Sequence, residues 1–347
     1  MDDGVQMTKI AVVIYNLGGP DSPEAVRPFL KNLFSDPMIL RVPAPVRWCL
    51  ARFISWRRAP VAQEIYAHIG GRSPILPETE KQRDVLQAAL GDDYRVFVSM
   101  RYWHPFAKET ARDVAAWGPD RVILLPLYPQ FSTTTTESFT RAWYPAAAGA
   151  GLSVPTAEIC CWPDADGFID AVARATEAAI AKLPDGAPYR ILFSAHGLPK
   201  KIVEGGDPYA NHVERTSAAA LARLKNPRAD HIVCYQSRVG PMEWLQPYTE
   251  DQIKKAGAEG VALVVVPVAF VSEHSETLVE LDIEYAELAA EAGVPHYVRA
   301  PTVNADAAFI GSLAAIVKNT GETGTGPADG TFCDAAHGDC PCLRKVA

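Results

Sequence analysis

The chain has 347 residues, 48% of them hydrophobic, and a formal net charge of -8. That length supports a large core and, at roughly 150 residues per domain, about two domains, while the acidic balance argues against a nucleic-acid partner. No apolar run reaches the roughly 18 to 20 residues of a membrane span, the N-terminus MDDGVQMTKIAVVIYNLGGP lacks secretory form, and the seven cysteines are too few for a disulfide framework; a cytoplasmic protein is expected.

Lys9 to Tyr15 (KIAVVIY) has the short apolar pattern of a buried strand. Asn16-Leu17-Gly18-Gly19-Pro20-Asp21 then turns into a helical pattern from Ser22. Strand, glycine turn and helix form a βα unit. No G-x-G-x-x-G and no G-K-[ST] follows, so the glycines suit a flat ligand approaching the backbone at least as well as a phosphate. Met38 to Arg58 carries Val46, Trp48, Leu50, Phe53, Ile54 and Trp56 among Arg47, Arg52, Arg57 and Arg58. A core helix rarely mixes arginines and tryptophans in this way. A helix from about Ala44 that lies at a mouth, against a bilayer or an apolar carboxylated ligand, fits better.

Tyr66 to Pro74 is a second glycine turn, with Arg72 and Ser73 as anion contacts. Tyr94 to Met100 reads as a strand ending in Arg101-Tyr102-Trp103-His104-Pro105. Arg121 to Leu127 is another, running into Tyr128-Pro129-Gln130-Phe131-Ser132. Polar and aromatic residues thus gather after strand ends, the edge at which open α/β sheets bind ligands. The alanine-rich stretch 146–151 reads as a junction.

The second half repeats the layout. Tyr189 to Phe193 leads to Ser194-Ala195-His196-Gly197, Ile232 to Tyr235 leads to Gln236-Ser237-Arg238, and the run from Val261 to Val271 leads to Ser272, an expected N-cap. Beyond it Glu273, Glu276, Glu280, Glu284 and Glu287 recur at helical spacing. A solvated acidic face is the ordinary reading of such a stripe. This one starts off the end of a buried strand beside His274, where crowded carboxylates are relieved by a cation or by holding protons. His196, displayed at a strand end, can accept a proton or bind a divalent metal, although a lone histidine is more often structural. No G-x-S-x-G, H-E-x-x-H or Cys-x-x-Cys is present, so covalent catalysis has no support.

After an expected helix from Ala305 to Lys318 and a linker from Gly321 to Gly330, the tail carries Cys333, Cys340 and Cys342 with His337 between them. Three thiolates suit a soft metal or an iron-sulfur cluster, with Cys160 or Cys161 as fourth donor. A zinc site completed by His337 and an unligated tail are the alternatives.

Taken together, Asn16 to Pro20, Tyr66 to Pro74, Arg101 to Pro105, Tyr128 to Gln130, Ser194 to Pro199, Gln236 to Pro241 with Trp244, and Ser272 to Tyr285 resemble the ferrochelatase family in order and spacing. The resemblance implies an α/β chain of two Rossmann-like, doubly wound parallel-sheet domains with a porphyrin cleft between them. Residues 8–150 would form the first, including an active-site lip at 38–58, residues 151–319 the second, and residues 320–347 a linker and cysteine-rich tail. It implies insertion of Fe(II) into protoporphyrin IX, with porphyrin and ferrous iron as partners, peripheral membrane contact at the lip and no organic cofactor.

By the same resemblance His196 is the active-site histidine and, with Glu276, meets the iron. Glu280 and His274 continue an acidic path. Leu17 faces the macrocycle opposite His196, and Tyr66, Ser73, Arg101 and Tyr128 line the pocket or contact propionates. The tail is similar to the 2Fe-2S site of some relatives, with Thr133 standing where animal relatives have an internal cysteine. A coproporphyrin chelatase and a non-catalytic haem or metal carrier are the competing readings.

Overall fold

The computed structural model describes residues 8–327 and 337–342. The chain opens with β1 (Ile10–Asn16), α1 (Val26–Ser35), α2 (Ala44–Ala67), α3 (Ile75–Leu90), β2 (Tyr94–Met100), α4 (Ala107–Trp117), β3 (Arg121–Pro126), α5 (Thr136–Gly149) and β4 (Thr156–Ile159). It continues through α6 (Asp166–Ile180), β5 (Tyr189–His196), α7 (Lys200–Glu204), α8 (Tyr209–Ala222), β6 (Asp230–Gln236), α9 (Thr249–Glu259) and β7 (Ala262–Pro267). A π-helix (Glu276–Glu284), α10 (Tyr285–Glu291), β8 (Tyr297–Arg299), α11 (Ala307–Asn319) and β9 (Gly324–Gly326) complete it.

The strands form two sheets, ordered β2-β1-β3-β4-β9 and β6-β5-β7-β8, and every pairing is parallel. Parallel strands need covered faces, and the composition of β1 (IAVVIYN) and β7 (ALVVVP) answers that need, since every residue of both is buried. Both sheets reverse direction between their first and third strands in sequence. That switch point, beyond the carboxyl ends of the strands, is where open α/β sheets place their ligand crevices.

Alternation along the strands divides the core. Val12 and Ile14 of β1, Ile191 and Phe193 of β5, and Val264 and Val266 of β7 join Phe168 of α6 and Phe309 of α11 in one cluster shared by the two sheets. The opposite faces are covered locally: Ala11, Val13 and Tyr15 lie with Phe139 and Trp143 of α5, and Leu192 and Val265 with Ile253 of α9 and Leu281 of the π-helix. The first sheet takes its fourth strand from Thr156–Ile159 and its fifth from Gly324–Gly326, so the chain returns to it after building the second.

Three expectations need correction. Gly324–Gly326, expected within a linker, forms β9 on the edge of β4. Ser272 does not cap a helix: its hydroxyl donates to Gln82 Oε1 at 3.2 Å, and the helical segment begins only at Glu276. The acidic segment is also not an α-helix at its start. The Tyr285 amide donates to the Glu280 carbonyl five residues back, the bonding of a π-helix, a form concentrated at functional sites.

Candidate active site

The switch point of the second sheet places its groups by chain geometry alone. His196 ends β5, next to the loop that leaves β7 for the π-helix. Its Nδ1 lies 2.6 Å from the Gly197 carbonyl, which only accepts, so Nδ1 carries the hydrogen. Nε2 then faces Glu276 Oε1 at 3.6 Å, and the side chain is 35% exposed. The other Glu276 oxygen, Oε2, is 3.8 Å from His274 Nε2. Among the described residues that oxygen is buried without a hydrogen-bond partner, as is His274 Nδ1. Buried polar atoms are nearly always paired. Orphans on two proton-accepting groups beside a third give an arrangement chemically able to take up protons or a cation.

The neighbours divide into neutral and charged. Burial holds His274 below the usual histidine range, overriding the pull of Glu276, and its ring meets Phe270 edge-on at 4.5 Å between centroids. Glu280 is raised above the ordinary carboxylate value, first by burial and then by the charge of Glu276. It nevertheless accepts from Ser237 N at 2.8 Å, Gln236 Nε2 at 2.9 Å and Tyr285 OH at 3.1 Å, and from the Ser237 hydroxyl. Glu280 is thus a buried carboxyl group met by four donors from Gln236, Ser237 and Tyr285.

The expected five-carboxylate stripe is divided. Glu276 and Glu280 enter the site. Glu273 turns to Arg299, which reaches it at 2.8 Å while its Nε holds Asp282 at 2.6 Å. Glu284 and Glu287 are exposed.

Of the candidates in the first half of the chain, Tyr66 reaches this row, and the others have neighbours of their own. Tyr66 of α2 is buried and hydrogen-bonded to the Ser275 side chain, next to Glu276; burial raises its hydroxyl to about 12. Leu17 shares an apolar cluster with Tyr66, Tyr102 and Trp103. Ser73 packs so closely on Gly19 that a Cβ there would lie 2.5 Å from its hydroxyl, and it accepts from the Ile75 amide at the start of α3. Tyr128 stands edge-on to Tyr15, and burial raises it well above its usual value despite Arg101. Arg101 itself is met by buried Asp36 at 2.8 Å, donates to Ser138 at 2.7 Å, and shares Asp36 with the Tyr102 hydroxyl at 2.7 Å. Sequence reasoning missed Asp36, because a lone Ser-Asp-Pro in a loop carries no signal of its partner 65 residues away.

A second constellation lies outside the crevice. Cys160 and Cys161 follow β4, and Cys340 and Cys342 of the tail dock against them; Cys160 Sγ is 3.6 Å from Cys161 Sγ and 3.1 Å from Cys342 Sγ. Cys333 lies outside the described residues. The donors are chemically those of an iron-sulfur or zinc site. The sulfurs, however, touch more closely than the ~3.8 Å edge of a tetrahedron with metal-sulfur bonds of ~2.3 Å, and among the described residues no metal-binding group is formed. Mutual hydrogen bonds and burial raise Cys160. For Cys342 the bond with Cys160 lowers, but the bond with Cys340 and burial outweigh it and push the thiol to about 12. Thiolates here call for a cation.

A family model described as ferrochelatase matches residues 9–321. The chain is 53% identical over 340 residues to a ferrochelatase of Phenylobacterium zucineum, covering 96% of this chain and 98% of that one. It is 49% identical to a ferrochelatase of Caulobacter vibrioides, covering 98% and 99%. In fold it is similar to SirB from Bacillus subtilis with Fe3+ (TM-score 0.50, 11% identity, 90% of this chain and 95% of that one). It is also similar to DR2241 from Deinococcus radiodurans, a multi-domain protein with structural similarity to chelatases (TM-score 0.51, 15% identity, 96% and 59%).

Proposed function

The chain belongs to the ferrochelatase family, and from that premise we propose that it inserts Fe(II) into protoporphyrin IX to form protohaem. The observation that carries the site assignment is the row His196, Glu276, Glu280, in which an imidazole nitrogen 3.6 Å from a carboxylate is backed by a buried carboxylate inclined to hold a proton. Metallation removes two pyrrole protons and strips water from the iron. His196 Nε2 accepts a proton or meets the metal, and Glu276 takes the next position. Glu280, four residues on, takes up a proton relayed from Glu276, while Ser237 and Tyr285 donate to its carboxylate. Neutral His274 shields Glu276 from solvent and leaves its orphaned oxygen free for the cation. Leu17, Tyr66 and Tyr128 offer apolar and ring surface to the macrocycle, with Ser73 and Arg101 at its carboxylated edge.

Single-turnover and steady-state insertion of Fe(II) test this reading. His196→Ala is expected to lower kcat by about 10²- to 10⁴-fold in a folded protein; retained turnover rejects the assignment. Protoporphyrin and coproporphyrin assayed side by side separate the two chelatases, and a single stoichiometric binding event without turnover identifies a carrier.

The cysteines support a 2Fe-2S cluster held by Cys333, Cys340 and Cys342 with Cys160 or Cys161, and the two contacts of Cys160 favour Cys160. Bound there it would tie the tail to β4, and no step of metallation runs through it. A brown protein that loses its visible absorbance on Cys340→Ser is expected; a colourless protein with one zinc points to His337 instead.

The lip supports peripheral membrane contact. Trp48, Phe53 and Trp56 of α2 are 57–59% exposed, and the Arg52 guanidinium stacks 3.7 Å above Trp48. Aromatic rings flanked by arginines suit the headgroup region of an anionic bilayer. Among the described residues no helix is long and apolar enough to cross a membrane.

A further inference from the structure

Asp207 lies at the mouth of α8, fully buried, and no cation pairs with it among the described residues. Its carboxyl group accepts from one distant loop and from the start of α8. Oδ2 accepts from Ser132 Oγ at 3.0 Å, Thr133 N at 2.7 Å and Thr133 Oγ1 at 2.8 Å, all in the loop that leaves β3. Oδ1 accepts from the Tyr209 amide at 3.0 Å. The Tyr209 hydroxyl then donates to the His196 carbonyl at 2.9 Å. Thr133 Oγ1, having donated to Asp207, accepts from Arg41 at 2.7 Å, in the segment that leads into the lip. One residue away, the Gly206 carbonyl accepts from the Asp339 amide of the tail at 3.2 Å. Gly206 has a φ of +109°, and a Cβ there would stand 3.0 Å from the Gly338 nitrogen, so the tail seats only on a glycine.

A carboxylate this deep is costly unless several donors satisfy it. Its own donors come from the β3 loop and the start of α8, and one bond further out these groups meet the lip through Arg41, the tail through Gly206 and the strand of His196 through the Tyr209 hydroxyl. We propose that Asp207 is a positioning residue for metallation, which sets the backbone of His196 through Tyr209 and transmits to it the placement of the β3 loop and the docked tail. Hydrogen bonds to an ionised group are the stronger kind, and a displacement of the order of 1 Å at a catalytic group is enough to cost about a hundredfold in rate. The inference rests on His196 being the catalytic imidazole.

The experiment is a double-mutant cycle on the full-length chain, with kcat and the KM for protoporphyrin measured on protein shown folded by near-ultraviolet circular dichroism. Asp207→Asn is expected to lower kcat by about 10- to 100-fold with KM changed less than about twofold, and Tyr209→Phe by about tenfold. The double variant is expected to be no slower than Asp207→Asn alone, because both act through one chain of bonds. Thr133→Val, which keeps shape and removes one donor, repeats the cycle with Tyr209→Phe should Asp207→Asn not fold. Folded variants with unchanged kcat, or losses that multiply, overturn the proposal while leaving the role of His196 intact. If His196→Ala itself retains turnover, the premise falls and this inference with it.

Discussion

Arg299 meets carboxylates at both ends of the active segment, Glu273 ahead of His274 and Asp282 within the π-helix, and its side chain is only 10% exposed. Burial alone would raise Glu273; Arg299, with bonds from Thr277 and Thr302, carries it below its ordinary value. A depressed carboxylate stabilises the fold above its unfolded-state pKa of about 4.5 and loses that contribution as pH falls through the lower folded-state value. Replacing Arg299 by Met leaves the largely buried Glu273 unpaired and is expected to cost about 3 kcal/mol near neutral pH. Urea unfolding should show that gap between wild type and variant closing below pH 4. A gap that does not depend on pH shows that packing, not charge, holds the segment.

The π-helix explains why a stripe written at α-helical spacing does not present five carboxylates together. Widening the turn leaves Glu276 and Glu280 on the crevice, where Gln236 holds both the Glu276 carbonyl and the Glu280 side chain, and α10 resumes the ordinary helix with Glu287 outside. Deleting Leu278 restores α-type bonding and rotates Glu280 off Ser237. Activity is expected to fall by about a hundredfold with the fold kept, which steady-state kinetics and far-ultraviolet circular dichroism together check. At the lip, Trp48→Ser with Trp56→Ser is expected to weaken binding to anionic vesicles about tenfold or more while leaving turnover in detergent unchanged. Equal vesicle binding by the double variant removes the lip as the membrane contact.

The whole molecule is held by a chain that crosses back. α11 packs on α6 and α3, β9 adds an edge to β4, and the tail reaches Cys160 beyond it. Removing residues 320–347 uncovers the edge of β4 and the buried face of Cys160 and Cys161. A lower Tm is expected, with kcat reduced through the loss of the tail from Gly206; thermal unfolding and iron insertion assays on the same preparation measure both. A truncated protein with unchanged Tm and kcat shows that the tail is an appendage.

Strand identity was legible in the chain, because parallel strands must be apolar on both faces, and so was the place of His196 at a strand's carboxyl end and the approach of Cys342 to Cys160. Local pattern also indicated that α2 is no core helix, since tryptophans and arginines in one segment contradict a core, and Trp48, Phe53 and Trp56 are exposed. Asp36, Asp207 and Arg299 were not legible. Each works through partners distant in sequence, and a buried charge has meaning only once the donors around it are assembled. The sequence by itself determined which groups the fold displays. The packing of two sheets on a shared core decided which of them meet, because desolvation and hydrogen bonding act between neighbours in space.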